Sequence, residues 1–328
     1  MKRRSFITLL GGVATGWPLA ARSQQAMHPV IGMLGSASLD QWSVRLRAFR
    51  EGLSETGHVE GKALAIEYRW AEGDPDRLPG LASDLVRRRV NVIVVLGNTA
   101  SVLAAKAAST TIPIVFRVAA NPVATGLVAS LARPGGNLTG VTTLGVEVGP
   151  KQLQLLQEMV PSARKFAVLI NPTNSILADI QSRTLSAAAA TLGQQLQIVK
   201  AGVDRDFDMV FATLRQLQIG GLIISADAFF NSRNQKLAAL AVAHAMPTIS
   251  PYREFAESGG LMSYGGSIAE ASRLAGVYTG RILNGEAPAD LPVQQVAKFE
   301  FVVNLKTAKA LGIETTHLTI ARADEVIE

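Results

Sequence analysis

The chain has 328 residues, of which 32 are basic and 26 acidic, and it contains no cysteine. The absence of cysteine excludes disulfides, thiolate nucleophiles and cysteine-ligated zinc or iron–sulfur sites. A chain of this length can bury a large apolar core, so its stability does not require such cross-links.

The first 23 residues have the pattern of an export signal. Lys2, Arg3 and Arg4 precede an uncharged apolar run over Phe6–Ala20, and small residues follow it. The run is shorter than the ~20 residues that span a membrane, so we expect a signal and not a membrane anchor. The small residues after it predict cleavage near Ser23. The adjacent arginines are typical of a twin-arginine signal, although the general export pathway also accepts them. A lipoprotein signal ends on a cysteine, so we expect no lipid anchor.

Most of the positive charge lies in this signal. Without its four basic residues the chain has 28 basic against 26 acidic residues. The run Arg87–Arg89 ends a predicted helix and has no interleaved aromatic residues, a pattern typical of a solvated helix end. We therefore expect no nucleic-acid partner.

From Pro29 onward, short runs rich in β-branched residues alternate with segments of helical periodicity. A helix is predicted over Asp40–Thr56, and Asp74 followed by Pro75 begins another. This alternation is typical of βαβ units and a mostly parallel sheet. The predicted strands are Val30–Leu34, Ala63–Trp70, Val90–Leu96, Ile112–Val118, Lys165–Ile170, Gln195–Lys200, Gly221–Ser225 and Pro247–Ser250.

A stretch rich in glycine and proline, Leu131–Pro150, separates two series of these units. The predicted fold class is therefore α/β, with two doubly wound parallel-sheet lobes joined near Thr142. A cleft between such lobes is a common place for a ligand.

Loops beyond the carboxyl ends of parallel strands form the ligand sites of such sheets. Here these loops read "GSAS", "GNTAS", "AANPVATG", "NPTNS" and "SADAFFNSR", with "SPYREF" and "MSYGGS" later in the chain, and they are rich in hydroxyl and amide groups. None of the four histidines lies in them, and no dinucleotide, P-loop, nucleophile-elbow or zinc-protease motif occurs. The pattern indicates small-molecule recognition rather than catalysis, and it predicts no catalytic residue, no cofactor and no metal site.

Several side chains in these loops are candidates for ligand binding. Ser36 and Thr99 lie at predicted helix N-termini, where a hydroxyl and backbone N–H groups could hold a carboxylate or simply cap the helix. Asp227 could pair with an ammonium group or cap the next helix. Arg117 ends an apolar strand and could bind an anion. Asn171 and Asn174 could bind the ligand or form the turn at Pro172. The aromatic residues Phe229, Tyr252 and Tyr264 could stack on the ligand or fill the core. The remaining candidates are Asn121 and Thr142.

The motifs "GLSETGHVEGKALAIEYRWAEG", "ASLARPGGNLTGV", "YREFAESGGLMSYG" and "ADLPVQQVAKFEFVVNLKTAKALGI" resemble the bacterial family of ABC transporter substrate-binding proteins that includes tryptophan-binding members. The resemblance covers essentially the whole chain, including the signal. It departs from the family pattern at Asn121, where aspartate is common before the proline.

The resemblance implies the type I periplasmic-binding-protein fold, with crossovers near Thr142, Gly260–Tyr264 and Ala289–Val293. The first lobe would comprise 28–142 plus 264–289, and the second 143–263 plus 290–328.

The implied function is that of a periplasmic, monomeric solute-binding component of an ABC importer. It would close by a hinge on an amino acid or a small aromatic or carboxylate solute, and its partners would be a permease and an ATPase of the inner membrane. A ligand sensor for a membrane signalling partner, or an exported enzyme using the same cleft, are the alternatives.

Overall fold

The computed structural model describes residues 28–36, 39–62, 64–296, 299–315 and 317–328. The predicted export signal lies outside the described residues. Two sheets, each flanked by helices, account for the described chain. Strands and helices are numbered along the chain below.

The first sheet has six strands in the order β11-β5-β4-β3-β1-β2, and all neighbours are parallel. Its central strands are buried and almost entirely apolar, as in a sheet covered on both faces. The strands are β1 (Val30–Gly35), β2 (Ala65–Trp70), β3 (Val92–Gly97), β4 (Ile114–Val118), β5 (Leu138–Thr142) and β11 (Gln294–Gln295).

Helices cover both faces of this sheet. α1 (Ser43–Glu55) and α10 (Ile268–Leu283) contribute to the apolar core on one face, and α2 (Leu78–Arg87) and α3 (Thr99–Ala108) to that on the other. α1 and α10 approach closely because glycines lie at the contact. A Cβ at Gly52 or at Gly276 would collide with a backbone carbonyl of the opposite helix.

The second sheet has seven strands in the order β13-β12-β10-β9-β8-β6-β7, and only the β10–β12 pair is antiparallel. Helices again line both faces over two apolar cores. The strands are β6 (Lys165–Ile170), β7 (Gln195–Lys200), β8 (Gly221–Ile224), β9 (Thr248–Ser250), β10 (Met262–Gly266), β12 (Phe299–Asn304) and β13 (Glu325–Ile327). The helices are α4 (Gly149–Met159), α5 (Ser175–Thr191), α6 (Asp206–Gln216), α7 (Ala228–Asn231), α8 (Asn234–Ala243), α9 (Arg253–Glu257), α11 (Leu305–Ala310) and α12 (His317–Arg322).

The structure confirms the α/β class with two lobes, and each of the eight predicted strands is present within two residues of its predicted ends. The chain passes between the sheets three times, after β5, after β10 and after β11. By sheet membership, β10 belongs to the second lobe through Gly266, and Gln294–Gln295 still pairs with the first sheet. The crossovers thus lie a few residues after the predicted boundaries at 264 and 289.

Candidate functional site

A cavity lies where the carboxyl ends of the two sheets face each other. Its volume is about 300 Å³, and both lobes contribute to its walls. The first lobe supplies the ends of β1 and β3, and the second supplies the loops that follow β6 and β8. The polar lining includes Ser36, Glu72, Asn98, Asn171, Asp227 and Arg233.

Asp227 is the buried carboxylate of this cavity, with 4% of its surface exposed. Its Oδ1 accepts hydrogen bonds from Asn171 Nδ2 at 3.0 Å and from the backbone N–H of Phe229 at 2.9 Å. Its Oδ2 accepts one from Asn174 Nδ2 at 2.7 Å. Three of the predicted site residues therefore form one unit within the second lobe. The bond to Phe229 also caps the short helix α7, so Asp227 fills the structural role that the sequence left open.

Burial raises the pKa of Asp227, while the three hydrogen bonds and the nearby charge of Arg45 act in the opposite direction. The carboxylate is thus held in place by neutral donors, and no cation of the described residues forms an ion pair with it. A carboxylate in this state can accept a further hydrogen bond from a cationic group of a ligand.

On the first lobe, the N-terminus of α3 faces the cavity. Asn98, rather than Thr99, caps this helix, because its Oδ1 accepts from the backbone N–H groups of Ala100 at 2.6 Å and Ser101 at 3.3 Å. The Thr99 hydroxyl is fully buried and has no hydrogen-bond partner, and the same holds for the Ser101 hydroxyl. The sequence predicted Thr99 as a site candidate, but it did not indicate that Asn98 would cap α3 in its place.

Trp42 and Arg45 of the first lobe are two further buried residues, and the charge of Asp227, which lines the cavity, acts on Arg45. Trp42 is fully buried at the start of α1 and lies 3.6 Å from the position of a Cβ at Gly97, the last residue of β3. The Arg45 guanidinium lies 5.3 Å from the centre of the Trp42 ring. Neither residue was predicted as a site candidate, although a cation three residues after Trp42, on the apolar face of a helix, is unusual.

Arg117 belongs to the same region. It is the penultimate residue of β4 and is 1% exposed. The pKa of Arg117 is lowered to about 10: burial and, next, the charge of Arg45 lower it, while Tyr252 and Glu254 of the second lobe act in the opposite direction. Burial likewise lowers the pKa of Arg45. Positive charge from the first lobe therefore faces acidic and phenolic groups from the second.

Unpartnered polar atoms concentrate at this end of the first lobe. Among the described residues, thirteen buried side-chain nitrogen and oxygen atoms lack a hydrogen-bond partner, and seven of them belong to five residues here. Buried polar groups in native proteins are normally hydrogen-bonded, so such a concentration makes this end of the lobe a candidate binding site. The five residues are Trp42, Arg45, Thr99, Ser101 and Arg117.

The predicted aromatic candidates separate in the structure. Phe229 lines the cavity, where its ring stacks on Phe207 at 5.5 Å and lies 5.5 Å from the Arg233 guanidinium. Tyr252 is buried in an apolar cluster built from both lobes, and burial raises its pKa to about 12. Tyr264 instead packs on Phe299 and Phe301 at the core of the second lobe.

The other candidates form turns or line the cavity. Asn121 Oδ1 accepts from the backbone N–H groups of Val123 and Ala124 at 3.0 and 3.3 Å. The Thr142 hydroxyl donates to the Ala120 carbonyl at 3.1 Å, next to the first crossover. Ser36 lines the cavity.

The described residues contain no group of three or more histidine, aspartate or glutamate side chains that could hold a metal ion. In the same part of the chain, each helix is too short or too polar to cross a membrane.

Two parallel-sheet lobes, three crossovers and a cleft with unpartnered polar groups define a type I periplasmic binding protein. The chain belongs to the family described as ABC transporter substrate binding protein, whose profile matches residues 31–327. A tyrosine-binding protein of Clostridioides difficile (strain R20291) is 27% identical over 270 residues, which cover 82% of this chain and 76% of that protein.

Two solved structures share the fold. A conserved domain protein from Vibrio cholerae is 25% identical, with a TM-score of 0.83, and the match covers 91% of this chain and 99% of the other. An ABC domain from Streptococcus pneumonia in complex with L-Trp is 21% identical, with a TM-score of 0.81, and the match covers 92% of this chain and 100% of the other.

Proposed function

We propose that this protein binds an amino acid or a small aromatic or carboxylate solute between its lobes and delivers it to an ABC importer. The observation that carries the proposal is the concentration of buried, unpartnered polar atoms at the cleft. Those atoms gain partners when a polar solute enters, so the solute stabilises the arrangement in which the lobes enclose it.

The family supports capture and hand-over of the solute rather than its turnover. The partners would be a permease and its ATPase in the inner membrane. The export signal predicted over residues 1–23 supports a periplasmic location, and the mature protein would be a monomer of 305 residues.

The tyrosine-binding relative and the L-Trp complex support an amino acid as ligand. The geometry is compatible with one. Asp227, held by two asparagines, would accept from an ammonium group, and Thr99 and Ser101 would donate to a carboxylate. Phe229 would supply an apolar wall.

A thermal-shift screen of residues 24–328 tests the proposal. The library contains amino acids, carboxylates, purines and small aromatic compounds. A solute at about 100 times its Kd adds about 2.7 kcal/mol to the stability of the folded state, and a protein of this size then melts a few degrees higher. If no compound of a broad library raises the melting temperature, the protein is not a binder of these solute classes.

Thr99→Val is the matched variant. It preserves the shape of a fully buried side chain and removes only its unpartnered hydroxyl. We expect ligand-free stability to be unchanged or slightly higher, and affinity for the solute to fall about 5- to 10-fold, the loss of one hydrogen bond. Unchanged affinity would show that the ligand does not reach the N-terminus of α3.

A further inference from the structure

Two arginines at the cleft end of the first lobe are buried, and among the described residues neither forms an ion pair. Arg45, in the first turn of α1, is 2% exposed, and Arg117, in β4, is 1% exposed. In each guanidinium the Nε and Nη2 atoms are fully buried and have no hydrogen-bond partner among the described residues.

This arrangement is unfavourable in the empty protein. A guanidinium removed from water is stabilised only when a counter-charge and hydrogen bonds replace its hydration. Two such groups of the same sign also repel each other, and the lowered pKa values of Arg45 and Arg117 reflect burial together with, for Arg117, that repulsion. A structural role would leave these groups paired within the protein, as Arg69 and Arg273 are on its surface.

The unpartnered atoms also have a defined shape. The Nε–Nη2 edge of a guanidinium is a fork whose two parallel N–H groups match the two oxygens of one carboxylate. This edge has no hydrogen-bond partner among the described residues in either Arg45 or Arg117, so the site has two such forks. A solute with a single carboxylate fills one fork and leaves the other buried and unpaired.

Acidic groups of the second lobe offset part of the positive charge of the two arginines, which limits the negative charge that the solute can carry. Asp227 and Glu254 both act electrostatically on Arg45, and burial raises the pKa of each carboxyl group. Asp227 already accepts three hydrogen bonds from its own lobe. The carboxyl groups therefore do not occupy the forks, and they lie where they could accept from an amino group of the solute.

We propose that the solute is a small dicarboxylate, with one carboxylate for each of Arg45 and Arg117. This rests on the proposed function and specifies its ligand class. The cavity of about 300 Å³ is lined by Asp227, whose charge acts on Arg45. Its size limits the solute to a few carbon atoms or one ring between the two carboxylates.

Isothermal titration calorimetry at pH 7 tests the ligand class. L-Glutamate, glutarate and phthalate are each compared with a counterpart lacking one carboxylate, namely L-glutamine, butyrate and benzoate, and L-tryptophan and L-tyrosine are included. We expect at least one dicarboxylate to bind about tenfold or more tightly than its counterpart. Binding of L-tryptophan, L-tyrosine or another monocarboxylate without a dicarboxylate preference would overturn the inference and leave the proposed function standing. Failure of every solute to bind would contradict both.

Arg117→Met and Arg45→Gln test the residues. Each variant should weaken binding of the dicarboxylate about tenfold or more and affect its monocarboxylate counterpart less. Arg117→Met should also raise the melting temperature of the ligand-free protein, because it removes an unpaired buried charge. Arg47→Gln is the control, because Arg47 lies on the same helix with an exposed side chain and should change neither property. A lower ligand-free melting temperature in Arg117→Met with unchanged affinity would show that Arg117 is structural.

Discussion

Hydrogen-bond partners distinguish the roles that individual residues could play. Thr99 and Asn98 are both suited to capping α3, and the structure assigns the cap to Asn98. Thr99 is thereby left buried with an unused hydroxyl. Asp227, by contrast, combines the two roles, because it caps α7 and also forms the acidic wall of the cavity. A polar side chain is thus used to cap a helix, or is left free for a ligand, depending on which backbone N–H groups its neighbours already bond.

Asp84 provides a test of stability at the residue scale. Its carboxylate contacts Arg69 at 2.7 Å, Arg87 at 2.9 Å and Arg88 at 3.1 Å. The hydrogen bond from Arg69, followed by those from Arg88 and Arg87, lowers the pKa of Asp84 from 3.8 to about 2. A group whose pKa is lower in the folded than in the unfolded state stabilises the protein above the unfolded value and loses this effect as the pH falls through the folded value.

We therefore expect Asp84→Asn to unfold at a lower urea concentration than the wild type at pH 7, and the difference to shrink between pH 4 and pH 2. Urea unfolding at several pH values measures it. Asp179→Asn, an exposed aspartate on α5, is the control and should differ little from the wild type throughout. A difference for Asp84→Asn that is the same at pH 7 and pH 2 would contradict the ion-pair explanation.

At the scale of elements, the contact between α1 and α10 fixes the position of Arg45. α10 follows the second crossover and returns to the first sheet, where its backbone meets that of α1 at Gly52 and Gly276. Small residues at both positions let the helices approach closely. The helix pair thereby holds Arg45 where its charge acts on Arg117 of β4.

Gly276→Ala should destabilise the protein by about 1–3 kcal/mol, because the added methyl group collides with the Phe49 carbonyl, which belongs to the backbone and cannot rotate away. Gly80→Ala is the matched control. Gly80 is an exposed residue within α2 with open space around its Cβ position, and alanine there should stabilise by about 0.5–1 kcal/mol. Urea unfolding of the two variants distinguishes them, and effects of the same sign would contradict the close packing of α1 and α10.

At the scale of the whole molecule, the two lobes meet through a small apolar cluster next to the crossovers. It contains Ala119 and Ala120 from the first lobe and Leu177, Ala226 and Tyr252 from the second. This cluster is much smaller than any of the four apolar cores of the lobes. We therefore expect the cleft to open at modest cost. A solute that contacts both lobes then favours the closed arrangement by its differential contacts.

The tightest-binding solute should reduce the radius of gyration measured by small-angle X-ray scattering. It should also change tryptophan fluorescence, because Trp42 and Trp70 are the only tryptophans beyond the predicted signal, and their rings lie 5.0 Å apart beside Arg45. Trp42→Phe should remove most of the fluorescence response and leave the change in scattering. A bound solute that alters neither signal would contradict hinge closure.

The sequence by itself determined the α/β class, the eight parallel strands and the division into two lobes. These features depend on local patterns, since buried parallel strands are apolar and β-branched, and helices between them are amphipathic. The strand β5 escaped prediction because its sequence, LTGVT, is short and contains a glycine. That glycine is required by the tertiary structure, since a Cβ at Gly140 would collide with the Phe116 backbone in β4.

Only the tertiary structure decided which polar side chains face the cleft. Tyr264 follows the same kind of loop pattern as Phe229, yet the antiparallel pairing of β10 with β12 sets it opposite Phe301 in the second core. Arg45 reads as part of an ordinary helix, and Arg117 as the end of an ordinary strand. Sheet order and the return of α10 bring these two charges together, and a contact between distant parts of a chain leaves no periodic signal in its sequence.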